Sequence, residues 1–185
     1  GLMKRYKTKI TKGGLQENIF TIRSDIARKL VTECGHGSKD KRIPNYMFNQ
    51  TKRHMEILLR NMLYGDGTKR ELKTKDNVYV YYTTNTLLAD DVQRLGYLCG
   101  FVTAKWGPYT FETQHGTSVM YQVHIHMSSN QNKILYKQNL KIEKVSDLRV
   151  VCFTVPNHTL VTRRNGKISM HGNCKHASHV VRLIR

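Results

Sequence analysis

Acidic residues are scarce in this chain. Thirteen Asp and Glu stand against 31 Lys and Arg among 185 residues, a formal net charge of +18 with an isoelectric point near 10.0. A surface that basic is not indifferent to polyanions, so nucleic acid is the expected partner and an anionic membrane surface the alternative. Long apolar runs are missing as well. None approaches the ~18 residues of a spanning helix, and no membrane partner is expected. Gly1-Leu2-Met3-Lys4-Arg5 leads into polar sequence without the apolar core of a signal peptide, and Met3 is the expected natural start. Only four cysteines occur, scattered as Cys34, Cys99, Cys152 and Cys174, which excludes a disulfide framework and fits a reducing, cytoplasmic setting. What remains, 39% hydrophobic residues, suffices for one good core or two small ones.

Along the chain the pattern is mixed. Lys4 to Ile10 and Asn18 to Ile22 read as strands around a Gly13-Gly14 turn. Ser24 is placed to cap a helix from Asp25 to Cys34, with Gly35 as its stop. A basic loop, Lys39 to Pro44, precedes a helix from about Thr51 to Tyr64 with an apolar stripe of Met55, Leu58, Leu59, Met62 and Leu63. Leu72 to Thr84 reads as a single strand, Leu87 to Leu95 as a helix capped by Thr86 and closed by Gly96, and Tyr97 to Trp106 and Ser118 to Met127 as two more strands. A further helix is expected from Asn130 to Asn139. Strand, cap, Ile26, Ala27 and Leu30 recur as strand, cap, Leu88, Ala89 and Val92 at a constant offset of 62, a faint internal repeat.

The stretch VVCFTVPNHTLVTRRNGKISMHGNC, Val150 to Cys174, carries the most distinctive chemistry. Val150 to Val155 is strand-like, Pro156-Asn157 is a turn, His158 to Thr162 alternates, and Asn165-Gly166 is a hairpin signal. A third short strand ends in Met170-His171-Gly172-Asn173-Cys174. An Asn side-chain amide can attack its own carbonyl carbon, closing a succinimide and releasing the downstream segment. A thiol placed just after it is a capable acyl acceptor. The alternatives are a plain hairpin with an incidental Asn-Cys, or a zinc site drawn from His171, Cys174, His176 and His179, whose spacing approaches a ligand pair only loosely.

In residue types, order and spacing, this stretch resembles the C-terminal splicing region of inteins over about 25 positions. The resemblance makes His158 the internal splicing histidine, Asn173 the terminal cyclising residue and Cys174 the first residue of the downstream host segment. The family usually has His immediately before the terminal Asn, where this chain has Gly172. Either His171 acts from a shifted position or His158 acts alone. Cys152 lies where many inteins carry an aspartate that tunes these steps. It is a candidate second nucleophile, with a half-buried strand residue as the alternative.

A second resemblance rests on Leu59-Arg60-Asn61-Met62-Leu63-Tyr64-Gly65-Asp66-Gly67, which is similar to the LAGLIDADG motif of the homing endonucleases commonly nested inside inteins. It implies that Gly65 lets two such helices pack closely and that Asp66 faces an acid of the other helix. Two facing carboxylates hold Mg²⁺ over a DNA phosphate. It also makes Lys105 a candidate active-site base or charge stabiliser, a solvated surface lysine being the alternative. Lys39, Lys41, Arg42, Lys73 and Lys75 become candidate contacts to double-stranded DNA. Without the motif's wider context, Gly-Asp-Gly is a helix-terminating turn.

Taken together, the expected fold is α+β. A LAGLIDADG-type αββαββα endonuclease region spans residues 1–140, with the end of a first repeat over about 1–48 and a second over about 49–140. The C-terminal β-rich part of a Hint-type splicing domain follows over 141–173, then host (extein) residues over 174–185. Inteins also need an upstream Cys or Ser nucleophile and a Thr-x-x-His segment. Gly1 is no nucleophile, and Thr51 to His54 matches the segment by letters only, since it opens a helix. The first LAGLIDADG helix is not found either. The chain is therefore expected to be a C-terminal split-intein fragment from a microbial or phage-infected cell, splicing in trans with an N-terminal partner fragment. Splicing needs no cofactor, whereas a nuclease would need Mg²⁺. The alternatives are a LAGLIDADG endonuclease or maturase that takes its second acid from a partner, such as a second copy, and a basic nucleic-acid-binding module without catalysis.

Overall fold

The computed structural model describes residues 3–71, 77–114, 116–127, 153 and 155–172. Among these the chain is a mixed α+β protein with four α-helices, one short 3-10 helix and eight strands, all paired antiparallel.

Two strands, β1 (Met3–Ile10) and β2 (Gln16–Ile22), form a hairpin that is a sheet by itself, and α1 (Ser24–Cys34) follows. Ser24 is the first helical residue rather than the cap. Arg23 holds the cap position, without a side-chain bond to the helix. The basic loop begins as a single turn, α2 (Gly37–Asp40), and leads through the 3-10 turn Asn45–Asn49 into α3 (Lys52–Asp66).

The Thr51 hydroxyl accepts from the His54 N–H at 3.4 Å and starts α3. Four-residue steps then set Met55, Leu59 and Leu63 on its buried face. The helix ends when Gly67 donates its N–H to the Leu63 carbonyl and opens β3 (Gly67–Glu71) without a loop. This strand has no counterpart in the sequence reading, which began a single strand at Leu72. Gly67-Thr68-Lys69-Arg70-Glu71 has no apolar alternation because it is an edge strand. The strand read there is β4 (Asn77–Thr83).

The cap of α4 (Thr86–Leu98) is Asn85, not Thr86: its Oδ1 accepts from the N–H groups of Leu87 (2.8 Å) and Leu88 (3.2 Å). The helix also runs through the expected stop at Gly96. A Cβ there would sit 2.7 Å from the Thr103 methyl, so the glycine serves close packing of α4 on the next strand rather than termination. Tyr97 and Leu98 accordingly belong to α4, and β5 begins later, spanning Val102–Thr113, opposite β6 (Gly116–His126).

The last hairpin, β7 (Thr159–Arg164) and β8 (Lys167–Gly172), turns at Asn165-Gly166, where φ is 50° and 72°. Two consecutive positive φ values match the primed turns that suit strand twist. The hairpin does not stand apart. It extends the main sheet, whose strand order is β3-β4-β6-β5-β8-β7. Both main helices cover one face of this sheet. The core lies between them, built from Met55, Leu59 and Leu63 of α3, Leu88, Val92 and Leu95 of α4, and Tyr81, Val123 and Ile125 of the strands. The helix expected at Asn130 to Asn139 lies outside the described residues. So does most of the strand expected at Val150 to Val155, of which Phe153 and Val155 are described and are not strand. No helix among the described residues is long and apolar enough to cross a membrane.

Candidate functional site

The Pro156-Asn157 turn forms as expected, closed by the His158 N–H donating to the Val155 carbonyl at 3.1 Å. The Asn157 Oδ1 accepts from the Thr159 N–H at 3.2 Å, and the backbone between them takes a left-handed conformation at His158, φ 52°. This kink delivers His158, solvent-exposed, at the mouth of the β7–β8 ribbon. The ribbon's outermost pair is Thr159 with Gly172, and the next is Leu160 with His171. In the sequence His158 immediately precedes Thr159, and Asn173 immediately follows Gly172. His171 is described in its backbone only. Asn173, Cys174, Cys152, His176 and His179 lie outside the described residues. Neither described cysteine that could compete with them is activated. Burial pushes the Cys99 thiol up to about 11, and burial followed by Glu33 raises that of Cys34.

The second candidate, Asp66, is exposed at the end of α3. Its Oδ2 accepts a long hydrogen bond, 3.5 Å, from the Tyr81 hydroxyl. Burial first and Asp66 second push that phenol up to about 12, so it stays a neutral donor. Among the described residues no group of three His, Cys, Asp or Glu side chains is close enough to hold a metal ion. One carboxylate is a poor trap for a divalent ion, which needs further oxygens from another source. Lys105 is engaged elsewhere. Its ammonium sits 2.6 Å from Asp90 and donates to the Thr86 hydroxyl at 2.9 Å, on the helix-covered face of the sheet. No hydrogen bond or ion pair joins it to Asp66.

The basic loop before α3 is strapped to α4. Asn85 donates from Nδ2 to the carbonyls of Lys39 (2.6 Å) and Lys41 (2.8 Å), while its oxygen caps the helix. Arg42 pairs in a fork with buried Asp91, at 2.7 and 3.1 Å, and the Ile43 N–H donates to the same carboxylate. These hydrogen bonds hold the guanidinium still more firmly charged. Arg42 is thus a structural anchor, whereas Lys39 and Lys41 are exposed residues on an anchored backbone. Lys73 and Lys75 lie outside the described residues.

Sequence reasoning did not resolve which side chains line the sheet face turned away from the helices. The register does. Tyr81, Val123, Ile125 and Thr103 turn toward the helices, so their neighbours Arg70, Gln122, His124, Trp106 and Lys167 occupy the opposite face. There Lys167 lies over the Trp106 indole at 5.7 Å, the Trp106 and His124 ring centroids are 6.2 Å apart, and His124 bonds Gln122 at 3.2 Å. Burial, then Arg70, then His126 lower the His124 pKa. This face is not bare, since Val78 and Val80 share it with His124 and His126 and are buried, but Arg70, Trp106 and Lys167 are exposed there and can contact phosphates or stack on bases. The alternation of Val123 and Ile125 with Gln122 and His124 was the signal available for this face. No family model matches this chain, and no curated protein matches it.

Proposed function

We propose that this chain is the C-terminal fragment of an intein, splicing in trans with an N-terminal partner fragment. The observation that supports the reading is the ribbon register, in which Thr159 pairs with Gly172, the residues that in the sequence follow His158 and precede Asn173. In the proposed sequence the partner forms a thioester at the upstream junction, and the Cys174 thiolate attacks its carbonyl carbon, displacing the partner's thiolate. The Asn173 amide nitrogen then attacks the Asn173 carbonyl carbon. A succinimide forms as the C–N bond to Cys174 breaks, and His158 or His171 passes the proton to the departing amine. The freed amine of Cys174 takes the acyl group from its own sulfur, leaving a normal peptide bond. No cofactor enters. Cys152 remains a candidate nucleophile that only substitution can test.

The rest of the chain is proposed as a LAGLIDADG-like DNA-binding region. The order α3-β3-β4-α4-β5-β6 supports this, since it is the αββαββ part of the repeat that the motif implies. On the sheet face turned away from the helices, exposed Arg70, Trp106 and Lys167 supply basic and aromatic groups for double-stranded DNA. Endonuclease activity would require Mg²⁺ and a second acid beside Asp66 from another chain, so no metal-dependent step is assigned to this chain's residues.

The test is the mass of the purified chain over time with thiol at neutral pH, with and without a complementary N-terminal fragment. Loss of the segment after Asn173, abolished in Asn173→Ala and slowed in His158→Ala, is the expected result. A chain that stays intact in both conditions overturns the splicing reading and leaves DNA binding, measured by its fall with salt, as the function to pursue.

A further inference from the structure

The β7–β8 ribbon is joined to the main sheet by one register pair, Ala104 with Lys167. A two-stranded ribbon is marginal in water by itself, so something else must fix its angle. That work falls to a polar cluster on the helix-covered side. Asp90 of α4 receives two cations on one oxygen: Lys105 of β5 at 2.6 Å and Arg163 of β7 at 2.7 Å. Lys105 is only 15% exposed, so its charge is largely committed to this partner. One turn along α4, Gln93 is fully buried. Its Nε2 donates to the Gly166 carbonyl at 2.5 Å, and its Oε1 accepts from Arg163 at 3.4 Å. The Lys105 backbone N–H donates to the same Gly166 carbonyl at 2.8 Å. Gly166 fits there because it has no side chain: a Cβ would collide with the Lys105 carbonyl.

The contacts to the ribbon all fall at its closed end, on Arg163, Gly166 and Lys167. Its open end, the Thr159–Gly172 pair next to His158, lies four residues beyond Arg163 on one strand and five beyond Lys167 on the other, about 14–17 Å at ~3.4 Å per residue. Over that lever a tilt of about 4° moves the open end by ~1 Å, a displacement that can cost a reaction on the order of a hundredfold. We infer that Asp90 is a positioning residue for release of the segment after Asn173: with Lys105, Arg163 and Gln93 it clamps the ribbon at a set angle on the core. The core is on this view part of the splicing machinery rather than a passenger. The inference rests on the splicing reading above.

Asp90→Asn keeps the shape and removes the charge. In the full chain with its complementary N-terminal fragment, it is expected to slow tail release at least about tenfold, well below the melting transition, where a contribution to stability alone leaves the rate unchanged. Arg163→Met should slow it comparably, Arg163→Lys should restore most of the rate, and the double variant Asp90→Asn/Arg163→Met should be no slower than either single one. Arg28→Met, an equal charge loss on exposed α1, should have no effect. Release from Asp90→Asn within twofold of the parent overturns the inference. If the parent itself never releases its tail, the splicing reading falls, and amide hydrogen exchange decides the clamp separately. Exchange over Leu160 to Ile168 accelerated about tenfold in Asp90→Asn supports it, and unchanged exchange overturns it.

Discussion

Two stretches of this molecule have the same order, a strand hairpin followed by a helix. One is β1-β2-α1 and the other β3-β4-α4, and their helices carry Ile26, Ala27, Leu30 and Leu88, Ala89, Val92 at the same spacing. In the second, all three apolar residues are buried. In the first, no helix residue is fully buried, Leu30 is 42% exposed, and Phe20 and Ile22 of the hairpin also lie open. The difference lies in what is laid on top. Helix α3 covers α4 and β4 with Met55, Leu59 and Leu63, whereas no comparable helix of the described chain lies on α1 and its hairpin. Amphipathic sequence therefore makes an element available for burial, and a neighbouring layer decides whether the burial occurs.

That contrast can be broken most directly in the core. Leu59→Ala, at a position with no exposure, should cost about 3–4 kcal/mol. Leu30→Ala on α1 should cost under about 0.5 kcal/mol. Urea midpoints at constant m-value compare the two, and equal costs would show that α1 is covered after all. The ion pairs offer a smaller version of the same contrast. Arg42→Met strands the buried Asp91 carboxylate, and because the arginine is itself half-exposed the loss should be roughly 2–3 kcal/mol. Arg23→Met breaks a pair that is exposed on both sides, Arg23 with Asp25, and should cost less than about 0.5 kcal/mol. Thermal unfolding of the two variants measures the difference.

The faintest effect concerns the sheet that α3 and α4 cover. The folded-state pKa of His124 is lowered from 6.5, so the unfolded chain takes up this proton first as pH falls. Its contribution to stability is complete above 6.5 and is lost below it, toward the lower folded value. His124→Gln should therefore flatten the fall in urea midpoint between pH 7.5 and 5.5. A steeper fall in the variant would reverse the assigned sign.

Much of this was legible in the residues. The stripe of α3, the alternation of β6 and the Asn165-Gly166 turn appear where periodicity and turn chemistry put them. The misplaced features share a cause, which is that their determinants lie elsewhere in the chain. Thr86 looked like the cap of α4, but Asn85 takes that role because it can also bind the carbonyls of Lys39 and Lys41. Gly96 looked like a stop, but Thr103 packs against it. Arg42 looked like a phosphate contact, and it is held by Asp91, 49 positions away. For the candidate site, His158 was visible as a residue type after a turn, whereas the grip of Asp90, Lys105, Gln93 and Arg163 on the ribbon spans up to 73 positions and left no local pattern.

The sequence by itself determined the mixed α+β class, the large positive charge, the apolar faces of α3 and α4, and the chemistry available at an Asn-Cys bond, because these depend on residue type and short-range spacing. Tertiary structure alone decided which of two similar strand-strand-helix units is buried, which basic residues anchor the fold and which stay exposed on the sheet face turned away from the helices. It also decided that the last hairpin extends the main sheet. Those outcomes depend on partners brought together across the chain, and a pairing made by a distant hydrogen bond or a covering helix has no signature in the neighbours of either residue.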